Sequence, residues 1–131
     1  MLLEENKVLI HKWLDAWINN DVVQIENLFA QDYTVNGRLI GVEGVKQAVQ
    51  FLHTVFSDIS AEPNEIVAEG DKVVLRWTVR GKQQADFMGI PPTGKMVELQ
   101  GINIYHIRDA KIRANFEQTN IFQVVQELKT K

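Results

Sequence analysis

The apolar side chains of this 131-residue chain change their spacing once, near Pro63, and that change limits what the chain can fold into. Ahead of it they recur every three or four positions, and beyond it every second position. From Glu4 to Asn19, Leu9, Trp13, Ala16 and Trp17, with Ile10, Leu14 and Ile18 beside them, predict an amphipathic helix with a wide apolar face. Asn19-Asn20-Asp21 breaks the pattern. Asp21 with Gln24 three residues on has the form of a capping box, opening a short helix through Leu28 and Phe29. Asp32 to Val35 reads as a short extended piece ended by the turn pair Asn36-Gly37. A third helix near Gly44 carries Val45, Ala48, Val49, Leu52 and Phe56 along one side.

From Glu65 onward the signals are for strands. Val73, Leu75, Trp77 and Val79 alternate with Lys72, Arg76 and Arg80 after the turn Glu69-Gly70-Asp71. A long connection, Gly81 to Lys95, leads to an extended run from Met96 to Arg108. The turn Asp109-Ala110 then feeds a last strand from Lys111 to about Asn120. Helices first and a meander of strands after predict an α+β fold, an antiparallel sheet with helices on one face, in a single domain over 1–131.

Composition narrows the function. Fourteen Lys and Arg against seventeen Asp and Glu give a net charge of −3. The basic residues are scattered, so no nucleic-acid footprint is expected. The absence of cysteine excludes disulfides, thiolate catalysis and Cys-based metal sites. No apolar run approaches the roughly 20 residues that span a bilayer, and the start lacks the pattern of a secretory signal, so a cytoplasmic protein is expected. His11, His53 and His106 fall in three separate segments without short ligand spacing, and no metal site is expected. Neither a serine nucleophile elbow nor a glycine-rich phosphate loop is visible.

Two segments carry a resemblance. Glu69-Gly70-Asp71 feeding Val73-Val74-Leu75-Arg76-Trp77 is one. The other, more specific, is Gly81-Lys82-Gln83 leading through Phe87-Met88-Gly89 to Pro91-Pro92-Thr93-Gly94-Lys95. With Gly101 to Ile107 and Lys111-Ile112, they resemble the SnoaL-like polyketide cyclases over nearly the whole chain. The resemblance implies a cone-shaped, cystatin-like fold with an apolar pocket between a curved sheet and helices. It also implies intramolecular aldol closure of a polyketide ester without metal or cofactor, and dimers formed through the outer face of the sheet. One buried carboxylate then serves as base and afterwards as acid.

The chain departs from that pattern at two positions. Asn120 stands where the family carries its acid/base Asp, and Gln83 where it carries a His before the Phe-x-Gly loop. Neither side chain titrates at neutral pH. Both are candidates for polarising a substrate by hydrogen bonds, and Asn120 is equally suited to satisfying backbone groups in a turn.

Parity places Ile112, Ala114, Phe116, Gln118 and Asn120 on the pocket face of the last strand and Lys111, Arg113, Asn115 and Glu117 on a solvated face. Trp17, His53, Trp77, Phe87, Met88 and Phe116 are expected to line the pocket. Glu98 and Gln100 join them if the even-numbered face of 96–108 turns inward; parity leaves that open. The expected ligand is a mid-sized apolar carbonyl compound, either turned over by a cyclase or isomerase or held by a non-catalytic accessory module.

Overall fold

A computed structural model describes residues 2–130. The first apolar stripe forms α1 (Leu2–Asn19), which buries Ile10 and Ala16. Asp21 accepts the backbone N–H of Gln24 at 3.1 Å and so opens α2 (Val22–Leu28), as the spacing predicts. Two short strands, β1 (Phe29–Val35) and β2 (Arg38–Leu39), flank the Asn36-Gly37 turn. Then α3 (Gly41–Val55) buries Val42, Val45, Val49 and Val55.

Strands begin earlier than the sequence suggests. β3 (Phe56–Glu69) follows α3 directly and runs through Pro63. It tolerates the proline because it is the edge of a six-stranded sheet of order β2-β1-β6-β5-β4-β3. β4 (Lys72–Gln83), β5 (Met96–Arg108) and β6 (Lys111–Thr119) complete the antiparallel meander, and β1 pairs parallel with β6. A last helix, α4 (Ile121–Lys129), buries Val124 and Leu128.

The sheet curves because three register shifts interrupt its antiparallel ladders. Two lie in β3, between Ser57 and Ser60 and between Pro63 and Glu65. The third lies in β6, where His106 faces Ala114 but Ile107 faces Ile112, leaving Arg113 as an extra residue. Each bulge increases the local twist and moves the following side chains to the opposite face. The inner face of β6 therefore runs Ile112, Asn115, Glu117. This corrects the uninterrupted alternation, under which Phe116 points inward; Phe116 lies on the outer face with 43% of its surface exposed.

On β5 the odd-numbered side chains turn inward, from Val97 to Ile107, and the even-numbered ones outward. One buried cluster joins Ile10, Ile25, Phe29, Leu75 and Ile112 beneath α1 and α2. A second joins Val55, Phe87, Ile90, Val97, Val124 and Leu128 beneath α4. Between the two clusters the packing leaves a cavity.

Candidate functional site

The cavity has a volume of about 590 Å³, within the range of small-molecule sites. Most of its wall is aliphatic or aromatic: Leu14 and Trp17 from α1, Val49 and Leu52 from α3, Trp77 and Val79 from β4, Leu99 from β5. Arg80 of β4, ion-paired with Glu62 and Glu98, borders the cavity, whose other polar residues gather on β5, β6 and β1, as Asn103, Tyr105, Asn115, Glu117 and Tyr33. Among the described residues Glu117 is the one carboxylate of the wall.

Neutral groups alone surround that carboxylate. Asn115 Nδ2 donates to Glu117 Oε1 at 3.3 Å. The Glu117 backbone is clasped by Asn36, whose Oδ1 accepts its N–H at 2.9 Å and whose Nδ2 donates to its carbonyl at 3.4 Å. Asn36 sits in the turn at a φ of 51°, a conformation asparagine tolerates well. Burial raises the Glu117 carboxyl above the usual glutamate value, and the Asn115 and Asn103 amides only partly oppose it. Glu98 and Glu65 lie on the outer side of the sheet as ion pairs, with Arg80 at 2.6 Å and Arg76 at 2.6 Å.

A second, directed set of hydrogen bonds stands in the same polar end. Trp77 Nε1 donates to Asn103 Oδ1 at 2.9 Å, Asn103 Nδ2 donates to the Tyr105 hydroxyl at 2.8 Å, and Trp13 Nε1 donates to the same hydroxyl at 3.1 Å. Burial pushes both the Tyr33 and the Tyr105 phenols above their ordinary value, and the Glu117 charge adds to it. Asn115 Oδ1 is buried without a protein partner, an acceptor left open in a residue only 4% exposed.

The candidates named from sequence fall into two groups. Trp17, Trp77 and Phe87 line the cavity. His53 stands just behind it, its Nε2 donating to the Trp17 carbonyl at 2.6 Å and its ring tilted against the Trp17 indole. Met88 is at a solvent-exposed loop tip, φ 51°, while its neighbours Phe87 and Ile90 are buried. Glu98 and Gln100 face outward, because β5 presents its odd-numbered residues to the cavity.

The two polar family positions serve as structural anchors. Gln83 is fully buried and uses its whole amide: Nε2 donates to the carbonyls of Ala85 and Ile90, and Oε1 accepts from the backbone and hydroxyl of Thr93. It pins the loop between β4 and β5 and is absent from the cavity wall. Asn120 ties β5 to the start of α4, its Oδ1 accepting from Gln100 N at 2.9 Å and its own N–H donating to Gln100 O at 3.1 Å. It too is outside the wall. Sequence reasoning passed over Glu117, Asn115, Asn103 and the two tyrosines. The available signal was Asn103 and Tyr105 sharing a parity with Leu99 and Ile107; for Glu117 the bulge hid it.

The model of the SnoaL-like polyketide cyclases matches residues 7–128. The chain belongs to that family. Solved structures of the same fold include TsrD from Streptomyces laurentii, 24% identical with a TM-score of 0.88 and 95% of each chain covered. IdmH from Streptomyces antibioticus, provisionally described as a polyketide cyclase, is 26% identical with a TM-score of 0.84, covering 95% of this chain and 99% of that one. AclR from Streptomyces galilaeus, provisionally described as a hydroxylase, is 25% identical with a TM-score of 0.86 and 97% of each chain covered. Among curated proteins no sequence matches. No helix of the described residues is long and apolar enough to cross a membrane.

Glu117 holds its proton in the folded protein to a higher pH than in the unfolded chain. Stability therefore falls as pH rises from the unfolded value through the raised folded one. Glu117→Gln is expected to raise Tm relative to the parent at about pH 8, with the gain shrinking towards about pH 4. Thermal melts followed by circular dichroism across that range measure it.

Proposed function

We propose that this protein catalyses proton transfer at the carbon beside a carbonyl of a mid-sized apolar compound, with Glu117 as the acid/base group and without a cofactor. The observation that carries this reading is a lone carboxylate, raised by burial, at the polar end of an otherwise apolar cavity. A carboxylate with a raised pKa is the stronger base once ionised, and it is in place to return the proton. In an aldol closure, Glu117 would take the α-proton and leave an enolate. The enolate carbon would bond to a second carbonyl carbon of the same molecule. The alkoxide so formed would recover the proton from Glu117, so atoms and charge balance. Membership of the cyclase family supports this chemistry, and Glu117 stands in for the acid that Asn120 lacks.

A second reading, a binding module without turnover, draws support from the same Asn120, whose side chain is occupied by Gln100. Hydrogen–deuterium exchange at the α-carbon of 2-tetralone, followed by proton NMR, separates the two. The enzyme reading expects saturable acceleration that increases with pH as Glu117 ionises, and a loss of about 10² to 10⁴-fold in Glu117→Gln. Asn120→Asp is expected to add nothing, because that side chain does not reach the cavity. Saturable binding without exchange supports the module.

The dimer implied by resemblance is also our proposal. Val67, Val74, Ile104 and Phe116 stand in one transverse rung on the outer face of four neighbouring strands. Val67, Ile104 and Phe116 are 57%, 38% and 43% exposed, an apolar stripe suited to a second copy of the same sheet. Sedimentation is expected to give a dimer mass at micromolar concentration and a monomer for Phe116→Glu. A monomeric parent chain overturns this.

A further inference from the structure

We propose that the Tyr105 hydroxyl is the hydrogen-bond donor that receives the ligand's carbonyl oxygen, with Trp13 and Asn103 as the residues that position it. This rests on the reading that the cavity takes a carbonyl compound, and it assigns the group opposite the base. The assignment follows from counting donors and acceptors. A phenol has one proton to give and a limited capacity to accept, and an indole N–H can only give. Trp13 Nε1, 3.1 Å from the Tyr105 hydroxyl, must therefore donate to it.

The Asn103 amide has no freedom of orientation either. Trp77 Nε1 donates at 2.9 Å, so the atom it meets is Oδ1, and Nδ2 is the atom 2.8 Å from the Tyr105 hydroxyl. The Trp77 ring is itself fixed by Gly101 beneath it, where a Cβ would come within 2.3 Å of Cζ2. Two donors thus fill the accepting side of the Tyr105 oxygen. What remains is its proton, and among the described residues no hydrogen bond takes it.

Glu117 acts on Tyr105 through its charge and is not hydrogen-bonded to it. The Tyr105 residue that carries the hydroxyl is nearly buried and lines the cavity. A proton left over in such a place is free for a ligand oxygen. Donors arriving at the same oxygen polarise the O–H and strengthen what it gives. An enolate oxygen forming there as Glu117 removes the α-proton would gain more from this bond than the ketone does.

The test uses 2-tetralone labelled with carbon-13 at the carbonyl, bound to the full chain and read by infrared difference spectroscopy. In the parent protein the carbonyl stretch is expected below its value in hexane. Tyr105→Phe is expected to return it to the hexane value and to slow α-exchange by about 10²-fold. Trp13→Phe and Asn103→Leu are expected to reduce the displacement while the ketone still binds. Glu117→Gln is expected to slow exchange by about 10² to 10⁴-fold and keep the displaced stretch, so failure at Glu117 and failure at Tyr105 are distinguishable.

Tyr105→Phe leaves two buried donors unpaired and can cost the fold, so a second variant accompanies it. The chain has two tyrosines. In Tyr33→Phe, 3-fluorotyrosine incorporated throughout therefore occupies position 105 alone, where its more acidic hydroxyl is expected to lower the stretch further. An identical stretch with and without the Tyr105 hydroxyl, or no response to fluorination, overturns the assignment. Absence of any saturable ketone binding overturns it together with the reading it rests on.

Discussion

Between Ile112 and Ala114 the last strand carries one residue more than the strand beside it, and every side chain beyond that point changes faces. The bulged residue, Arg113, is held outside by Asp32 of β1 at 2.9 Å. Ile112 can then plug the core while Asn115 and Glu117, an odd number of residues further on, still face inward. Without the bulge Phe116 and Gln118 would occupy the polar end of the cavity. The two bulges of β3 act in the same way, turning Phe56, Ile59, Ala61 and Ile66 all to the inner face despite their mixed parity. Curvature and chemistry thus share one origin.

The bulge brings a carboxylate into an apolar space, and the surroundings decide what that carboxylate can do. An arginine beside it would favour the ionised form and weaken it as a base; the arginines Arg80 and Arg76 instead pair with Glu98 and Glu65 on the outer face. Neutral amides and buried phenols hold it differently. The Asn115 amide orients the group by a hydrogen bond, and burial leaves its proton affinity raised. The network also runs in one direction, from indole to amide to phenol, because each Trp can only donate. Trp13 and Trp77 therefore set the polarity of the site.

Much of this was legible in the chain itself. Period three-to-four followed by period two gave α1, α3, β4 and β5 closely, since long periodic stretches are dominated by burial of one face. The segment Phe87 to Lys95 marked the family. The part of β3 ahead of Glu65 is hidden in the sequence, because a strand through Pro63 requires an edge position and a local pattern does not reveal one. The inner residues of β6 were misplaced for a sharper reason: a bulge of one residue reverses parity and leaves no mark in composition. Gln83 and Asn120 are structural ties: the Gln83 amide satisfies three backbone groups and the Thr93 hydroxyl, and the Asn120 amide the backbone N–H of Gln100, bonds whose loss inside the fold is costly.

The central claim is that proton chemistry resides at Glu117, opposite Tyr105, and not at Asn120. A crystal structure of the protein with bound 2-tetralone tests it most directly. The ketone oxygen is expected at hydrogen-bond distance from the Tyr105 hydroxyl and an α-carbon within about 3.5 Å of a Glu117 oxygen. A ketone held with its α-carbons turned away from Glu117, or seated beside Asn120, would contradict it.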